Sequence, residues 1–491
     1  MEATENANIY KLQVPVGISG MVFNSTVDGE EVRSFDVNDI VDGATYVAVD
    51  LDAAGKWAVC QSDKIPQKPE NPTDEQKKAK QVNTHVGADY DTVYLSFTTA
   101  AEVESKVVLK SVSGEETTFT GEHSYSYVSE SFKHKIELSG LKPSTKYTYT
   151  IGEGNYKFEG SFTTVPAKGS NATLKFAFLA DTQVSNGVNA KAAGATFNQL
   201  NQIDDLGFIY IGGDITDNAD NKLQWETLFE NDGAYPTAGI DCLSNNLLAV
   251  TQGNHDKNYN NSSLSNYINA PAEAGNLVYS IDYGKVKFIV LNLETAKESD
   301  AVRDEQKAYL EKEVADAKEN GQWTIVGFHK SIYTGASHIV DSDVKAARKY
   351  WSPVLAELDV DVVLEAHDHV YARGFINGDG TRGEVEQDST GAYISKDNAP
   401  LYMVGGHAGG LKWYSQKDYT VEEGDPLLPN YEFLDVNSTD GENGSNVSKE
   451  QVYTIFEVNN TELKSTTYMF KYDTDTDTIT TEPYVYDSVT I

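Results

Sequence analysis

The sequence predicts an α/β fold: a two-sheet layer flanked by helices, preceded by a β-sandwich and a small β module. Two observations predict it. Five apolar runs of four to seven residues, rich in β-branched and aromatic residues, recur through residues 174–412 and read as buried strands. Helical patterns fall between them, the alternation expected of layered α/β architecture.

Taken in order, residues 1–63 alternate apolar and polar positions with turn residues between (KLQVPVGISGMVF, ATYVAVDLD, KWAVC) and read as a small β module with no assigned role. Residues 64–80, KIPQKPENPTDEQKKAK, hold three prolines and five lysines and read as a solvated, partly extended linker. Residues 81–166 read as a β-sandwich. Val93, Leu95 and Phe97 alternate in VYLSF, KVVL follows, and GLKPSTKYTYTI supplies Leu141, Pro143, Thr145, Tyr147 and Tyr149. That last segment resembles the corner of fibronectin type III domains, where a tyrosine hydroxyl bonds back to nearby backbone. Residues 163–173 form a short joint, and 167–491 are assigned to the remaining domain.

Within it, helices are expected over 222–229, 304–317 and 346–358. Tyr309, Leu310, Val314 and Ala317 give the second its 3–4 spacing, with Asp304 as N-cap. Pro353 should bend the third or start a segment within it. Residues 413–450, acidic and rich in Ser, Asn, Asp and Gly, read as loop. Residues 451–491 return to strands (VYTIFEV, STTYMFKY, PYVY) that should complete the second sheet.

Composition bounds function. The chain of 491 residues has 39 basic and 75 acidic residues, a net charge of −36 that repels nucleic acid and anionic lipid. The two cysteines, Cys60 and Cys242, make neither a disulfide framework nor a zinc ribbon and read as small buried residues. No apolar run is long enough to insert in a membrane. The N-terminus, MEATENANIYKL, has no signal-peptide pattern, so the chain is either cytosolic or stripped of its signal. The acidic, Tyr/Thr/Asn-rich, cysteine-poor composition favours a bacterial secreted or cell-surface protein, with residues 1–63 available for cell-wall contact.

The strand ends carry the chemistry. LKFAFLA leads into Asp181, FIYIGG into Asp214, LLAVTQG into Asn254-His255-Asp256, TIVGF into His329, and VDVVLEA into His367-Asp368-His369. Ligands in open α/β sheets bind at the carboxyl ends of strands. Carboxylates, an amide and imidazoles suit Mn, Fe, Zn or Mg rather than thiolate chemistry. There are more donors than one ion needs, and two ions sharing a carboxylate would use them all. Taken singly, each Asp reads as a cap or turn residue and His329 as an ordinary half-buried histidine; the conjunction argues for a site.

The order D-x-Q, GDxxD, GNHD, H, then A-H-x-H resembles the calcineurin-like metallophosphoesterases, and more closely their purple acid phosphatase branch. HDHVYAR, His338 nine residues after His329, and APLYMVGGHAGG support that branch. The resemblance implies a metallophosphoesterase layer behind a fibronectin type III-like domain, and a mostly exported family. It implies a dinuclear centre of Fe, Zn or Mn that hydrolyses small phosphate monoesters. Asp214 would bridge; Asp181 and His369 would bind the first ion; Asn254, His329 and His367 the second. His255 would contact the phosphoryl group or protonate the leaving oxygen, and His338 would touch substrate. Asp256 and Arg373 join the catalytic candidates, Arg373 equally suited to pairing with an acidic neighbour. His407 is left as a loop residue, and Tyr259 is assigned nothing.

Two departures bear on the first ion. The family's tyrosine, three residues after the bridging aspartate, is Asp217 here. The histidine that other members place two residues after the first aspartate is Gln183. Either oxygen donor would complete the site, which should be colourless. Glu365-Ala366 stands where a small residue and glycine are usual. Two other readings stay open: a phosphodiesterase or nucleotidase using the same site, and a cell-surface binding protein with a degenerate one.

Overall fold

The computed structural model describes residues 70–126, 131–219, 221–229, 239–256, 264–274, 277–409, 412–414 and 449–491, together with strand segments within 2–61. In the N-terminal stretch, Glu2–Ala3, Tyr10–Gln13, Thr45–Leu51 and Trp57–Gln61 form one sheet, and Asn24–Val27 pairs with Glu30–Arg33. Within the stretch read as linker, Asp74–Lys77 form a helical turn, closed by a capping box between Thr73 and Gln76.

Two sheets position the site. In the first, Leu174–Leu179, Phe208–Ile211 and Leu247–Val250 lie side by side and parallel. In the second, Val286–Val290, Trp323–Gly327, Val362–Glu365 and Leu401–Gly405 are parallel neighbours. Strand periodicity explains why both faces of the first sheet are apolar. Phe176, Phe178, Phe208 and Tyr210 point toward the second sheet, with Phe288 4.8 Å from Tyr210 and 5.6 Å from Phe176. The alternate residues Ala177, Leu179, Ile209 and Ile211 pack with Ala190, Ala193 and Phe197 of the helix Gly187–Leu200. The outer face of the second sheet, with Ile289, Val326 and Val363, meets Leu310, Val314, Trp351 and Leu355. The layers therefore run helix, sheet, sheet, helix.

Helix positions refine the expectations. Lys222–Phe229 forms as expected. The second helix spans Asp300–Glu319 and is capped by Ser299, whose hydroxyl accepts from the Val302 amide; Asp304 lies inside it. The third runs Ser342–Glu357 straight through Pro353. Gly187–Leu200 was not expected, because its small residues give a weak apolar stripe; Asn186 caps it. Of the stretch 413–450, read as loop, residues 415–448 lie outside the described residues. The C-terminal strands Gln451–Val458, Leu463–Asp473 and Thr478–Thr490 join the first sheet, not the second, with Gln451–Val458 antiparallel to Leu174–Leu179.

The front sandwich is continuous with that same sheet. Lys80–Val86 lies parallel to Leu247–Val250, pairing Thr84 with Leu247 and His85 with Leu248, so ten strands share one hydrogen-bonded sheet. The Tyr147 hydroxyl accepts from the Lys142 amide at 2.9 Å, the bond-back expected of GLKPSTKYTYTI. Tyr149 donates its hydroxyl to the Ser244 carbonyl at 2.7 Å and ties the sandwich to the α/β layer.

Candidate metal centre

In a parallel sheet every strand delivers its carboxyl end to the same edge. Asp181, Asp214 and Asn254 follow the three parallel strands of the first sheet, and His329 and His367 follow two of the second. The backbone that turns them inward is strained. Asp181, Gln183, Asp214 and His367 have φ of 49°, 37°, 48° and 69°, in the left-handed region that non-glycine residues rarely occupy. Such conformations cost of order 1–3 kcal/mol each and cluster where geometry serves function. Two glycines let the segments close. A Cβ on Gly253 would sit 2.1 Å from Asp214 Oδ1, and one on Gly213, itself at φ 93°, 2.8 Å from His329 Nδ1.

Asp214, His329 and His367 bring ligand atoms within 4.8 Å of one another. Asn254 joins them, its Oδ1 3.1 Å from His329 Nε2. His329 Nδ1 lies 2.9 Å from the Gly212 carbonyl. A carbonyl only accepts, so in the neutral ring Nδ1 carries the proton and the Nε2 lone pair faces the acceptor oxygens Asn254 Oδ1 and, at 3.4 Å, Asp214 Oδ2. The same logic holds at His369. Its Nδ1 donates to the Lys412 carbonyl, and its Nε2 faces Asp181 Oδ1 at 3.4 Å. That carboxylate oxygen is buried without a hydrogen-bond partner. Lone pairs facing lone pairs across about three ångströms call for a cation between them. The donor set therefore fits metal ions, with Asp181 and His369 in one group and Asn254, His329 and His367 in another, and Asp214 in contact with the second.

The electrostatics show the same pull for positive charge at this point, which a second proton on His329 supplies where no ion sits. Burial lowers the His329 pKa, but the Asp214 carboxylate outweighs it and raises it to about 9. Burial raises that of Asp214, yet His329 and His255 hold it below the ordinary carboxylate value. His367 is pushed well below the ordinary imidazole value, by burial and then by His329 and Lys330.

Of the two residues offered for the first ion, Gln183 is buried with neither amide atom hydrogen-bonded. Asp217 has a side chain 43% exposed, and its carboxylate lies 3.4 Å from His255 Nδ1. The Asp217 carbonyl accepts from that Nδ1 at 2.7 Å, and His255 Nε2 lies 4.0 Å from Asp214 Oδ2. The His255 amide donates to Asp214 Oδ1 at 2.8 Å. His338 stacks on His367 with ring centroids 4.2 Å apart, and its Nδ1 pairs with Asp341 at 2.6 Å.

Two of the catalytic candidates make structural contacts. Asp256 is fully buried and accepts from the Gly253 and Ile215 amides at 2.9 and 3.1 Å, so it holds the GNHD turn against the Asp214 segment. Arg373 pairs with an acidic neighbour, the other role its sequence context offered: its Nε donates to Asp487 Oδ2 at 2.6 Å, which fastens the last strand to Tyr371–Phe375. Tyr259 lies outside the described residues.

Sequence reasoning missed several residues at the site. Tyr414 stacks on His369 at 4.7 Å, and His407 covers the ring's other contact at 4.6 Å. Glu365 is buried and accepts from the Ile332 and Tyr333 amides at 3.0 and 3.3 Å, which fixes the loop after His329. Lys330 sets its ammonium 3.3 Å from His367 Nε2. Only Glu365 had a signal, as a charged residue closing an apolar strand.

Residues 174–371 match the calcineurin-like phosphoesterase family, and residues 79–164 the purple acid phosphatase N-terminal domain. An uncharacterised protein of Mycobacterium tuberculosis is 24% identical over 313 residues, covering 56% of this chain and 58% of the relative. Purple acid phosphatase 21 of Arabidopsis thaliana is 25% identical over 283 residues, covering 54% and 57%. The chain thus spans less than three fifths of the length of these curated relatives. The solved purple acid phosphatase of yellow lupin seeds shares the fold, with a TM-score of 0.60 at 14% identity, over 94% of this chain and 81% of that one. The chain carries a calcineurin-like phosphoesterase domain behind a purple acid phosphatase N-terminal domain. Among the described residues, no helix is long and apolar enough to cross a membrane.

Proposed function

We propose that this protein hydrolyses small phosphate monoesters at a dinuclear metal centre. The observation that carries the reading is the pair of imidazole Nε2 atoms, His329 and His369, aimed at Asp214, Asn254 and Asp181 oxygens with their protons committed to backbone carbonyls on the far side. Asp181 and His369 would hold one ion, Asn254, His329 and His367 the other, and Asp214 both. Gln183 is the better candidate to complete the first group, because its buried amide lacks any partner whereas the Asp217 carboxylate meets solvent and His255. Bound there, the ions supply Lewis acidity toward a phosphoryl oxygen and lower the pKa of a water nucleophile.

The chain's own residues supply the rest. His255, anchored through Nδ1, presents Nε2 to the pocket and delivers a proton to the leaving oxygen or steadies a phosphoryl oxygen. Asp341 holds His338 where its ring covers His367 and faces the substrate side. Gly253 and Asp256 keep the turn rigid, so the donors are positioned before substrate arrives, the condition under which electrostatic stabilisation is largest.

Phosphodiesters and nucleotides remain the alternative within the same chemistry. The binding-protein reading is disfavoured by four strained residues retained at the site, a cost without purpose in a scaffold. Export goes with the reading on the acidic, cysteine-poor composition, and a fibronectin type III-like front sandwich goes with the Tyr147 bond. The test is elemental analysis of protein purified without chelator, with p-nitrophenyl phosphate turnover before and after metal removal. About two ions per chain and metal-dependent turnover are expected. Absence of both metal and turnover after adding Mn, Fe or Zn would overturn the reading.

A further inference from the structure

The front sandwich reaches the α/β layer through more than the shared sheet. Its strand Lys80–Val86 is bulged: Lys80 pairs with Thr98 but Asn83 with Ser96, so one residue is extra, and Gln81 sits at φ 48° in the left-handed region. A bulge re-aims the side chains beside it, and a strained non-glycine residue costs of order 1–3 kcal/mol that its surroundings must offset. Just past the bulge, Asn83 is fully buried against the segment that follows the short helical turn Leu264–Asn266. Its Nδ2 donates to the Tyr267 carbonyl at 2.8 Å. Ser96 Oγ lies 3.0 Å from that carbonyl and 3.0 Å from Asn83 Oδ1, so its one proton serves both. Lys133, on the neighbouring strand of the sandwich, donates to Asn266 Oδ1 at 2.6 Å.

What these side chains hold leads to His255. The Tyr267 ring stacks on Trp225, with centroids 4.7 Å apart and planes 15° from parallel. Trp225 is fully buried, and its Nε1 donates to the Ala219 carbonyl at 2.8 Å. The Ala219 amide donates in turn to the His255 carbonyl at 3.3 Å, and the Asp217 carbonyl accepts from His255 Nδ1 at 2.7 Å. The segment 217–219 thus grips His255 by backbone and by ring, and a stacked aromatic pair fixes that segment from the sandwich side. Close-packed interiors have few voids to absorb a shift, so a displacement at Tyr267 is passed on.

We infer that Asn83, Ser96 and Trp225 are positioning residues for His255, so that the front sandwich is a working part of the phosphoesterase site. This rests on the role given to His255 above. An imidazole that moves a proton must lie within about 2.6–3.2 Å of its partner atom, so a shift of the 217–219 segment too small to disturb the fold takes His255 out of range.

The test is steady-state kinetics on the full chain. Trp225→Phe keeps an aromatic ring against Tyr267 and deletes the bond to Ala219. Asn83→Leu keeps the volume and deletes the bond to Tyr267, and Ser96→Ala, a smaller change, takes its place if that variant does not fold. Each is measured on p-nitrophenyl phosphate alone and combined with His255→Ala, with elemental analysis for metal and thermal melting for fold. The single variants should keep the metal content and KM of the unaltered chain and lose about tenfold in kcat, within the scale of a small misplacement of a reacting group. In the His255→Ala background the same substitutions should cost nothing further, a non-additivity that a general loosening of the fold does not produce. An unchanged kcat in the folded single variants, or the same loss with and without His255, would overturn the inference alone. A His255→Ala chain as active as the unaltered one, or no metal-dependent turnover in any chain, would overturn it together with the reading it rests on.

Discussion

At the residue scale, the proposed reading separates groups that would hold metal from groups that would act on substrate. Asp214 has a ligand atom within 4.8 Å of those of His329 and His367, and Asn254 sits on His329, so Asp214→Ala or Asn254→Ala should lose metal and nearly all turnover, read by elemental analysis and p-nitrophenyl phosphate hydrolysis. His255 differs, since its ring proton goes to the Asp217 carbonyl and its Nε2 stands 4.0 Å from Asp214 Oδ2. His255→Ala should keep both ions and lose about 10²–10⁴-fold in kcat, the usual contribution of a positioned acid. Loss of metal in that variant would move His255 into the ligand set. The ligands were legible because each closes an apolar run, a local signal. The contacts of Asp256 and Arg373 were not legible for a matching reason: proximity in sequence to a candidate ligand says nothing about which way a side chain turns. Asp256 turns into the backbone of its own motif, and Arg373 to a partner 114 residues away.

At the scale of elements, the sheets that present the site are fastened by a buried charge cluster in the second sheet. Lys287, 3% exposed on Val286–Val290, contacts Asp282 at 2.5 Å, Asp316 at 2.7 Å and Glu313 at 3.0 Å, and so joins a hairpin to the helix Asp300–Glu319. Lys168, from the joint after the sandwich, reaches Asp282 and Asp316 at 3.0 and 2.9 Å. Removing one partner of such a cluster strands buried charge, so Lys287→Met should destabilise the fold by about 3–5 kcal/mol in denaturant unfolding. Lys287 and Lys168 hold the Asp316 pKa down to about 2, below its ordinary 3.8. A depressed carboxylate contributes stability above its unfolded pKa and loses it as pH falls through the folded one. The cluster's contribution should therefore be complete above about pH 4 and fade toward pH 2, and acid titration of the variant should lack that step. A contribution unchanged down to pH 2 would remove Asp316 from it. None of this was readable in advance. Strand and helix patterns locate elements, as Lys222–Phe229 illustrates, but the pairing of Lys287 with a helix 26 residues on depends on register. The helix Gly187–Leu200 escaped notice because its alanines and glycines pack closely on Leu179 and Ile211 without an apolar stripe to announce it.

At the scale of the whole molecule, the layers and their order were legible because apolar runs and turns recur with the right periods; the sharing of one sheet by the sandwich and the α/β layer was not, since the pairing of Thr84 with Leu247 spans more than 160 residues. The net charge was equally plain in the sequence, and it sets a prediction that no single residue does. A chain at −36 repels a dianionic phosphate ester long before the ester meets the site. The Debye length falls from about 30 Å at 0.01 M salt to about 8 Å at 0.15 M, so distant carboxylates act at low salt and are screened at physiological salt. Contacts inside the buried site are screened far less. Raising salt across that range should therefore increase kcat/KM for p-nitrophenyl phosphate while leaving kcat nearly constant, and should do so less for the singly charged bis(p-nitrophenyl) phosphate. Steady-state kinetics on both esters at matched pH reads this directly. A kcat/KM that falls with salt would mean that the local field at the site reaches out past the acidic surface and draws the ester in.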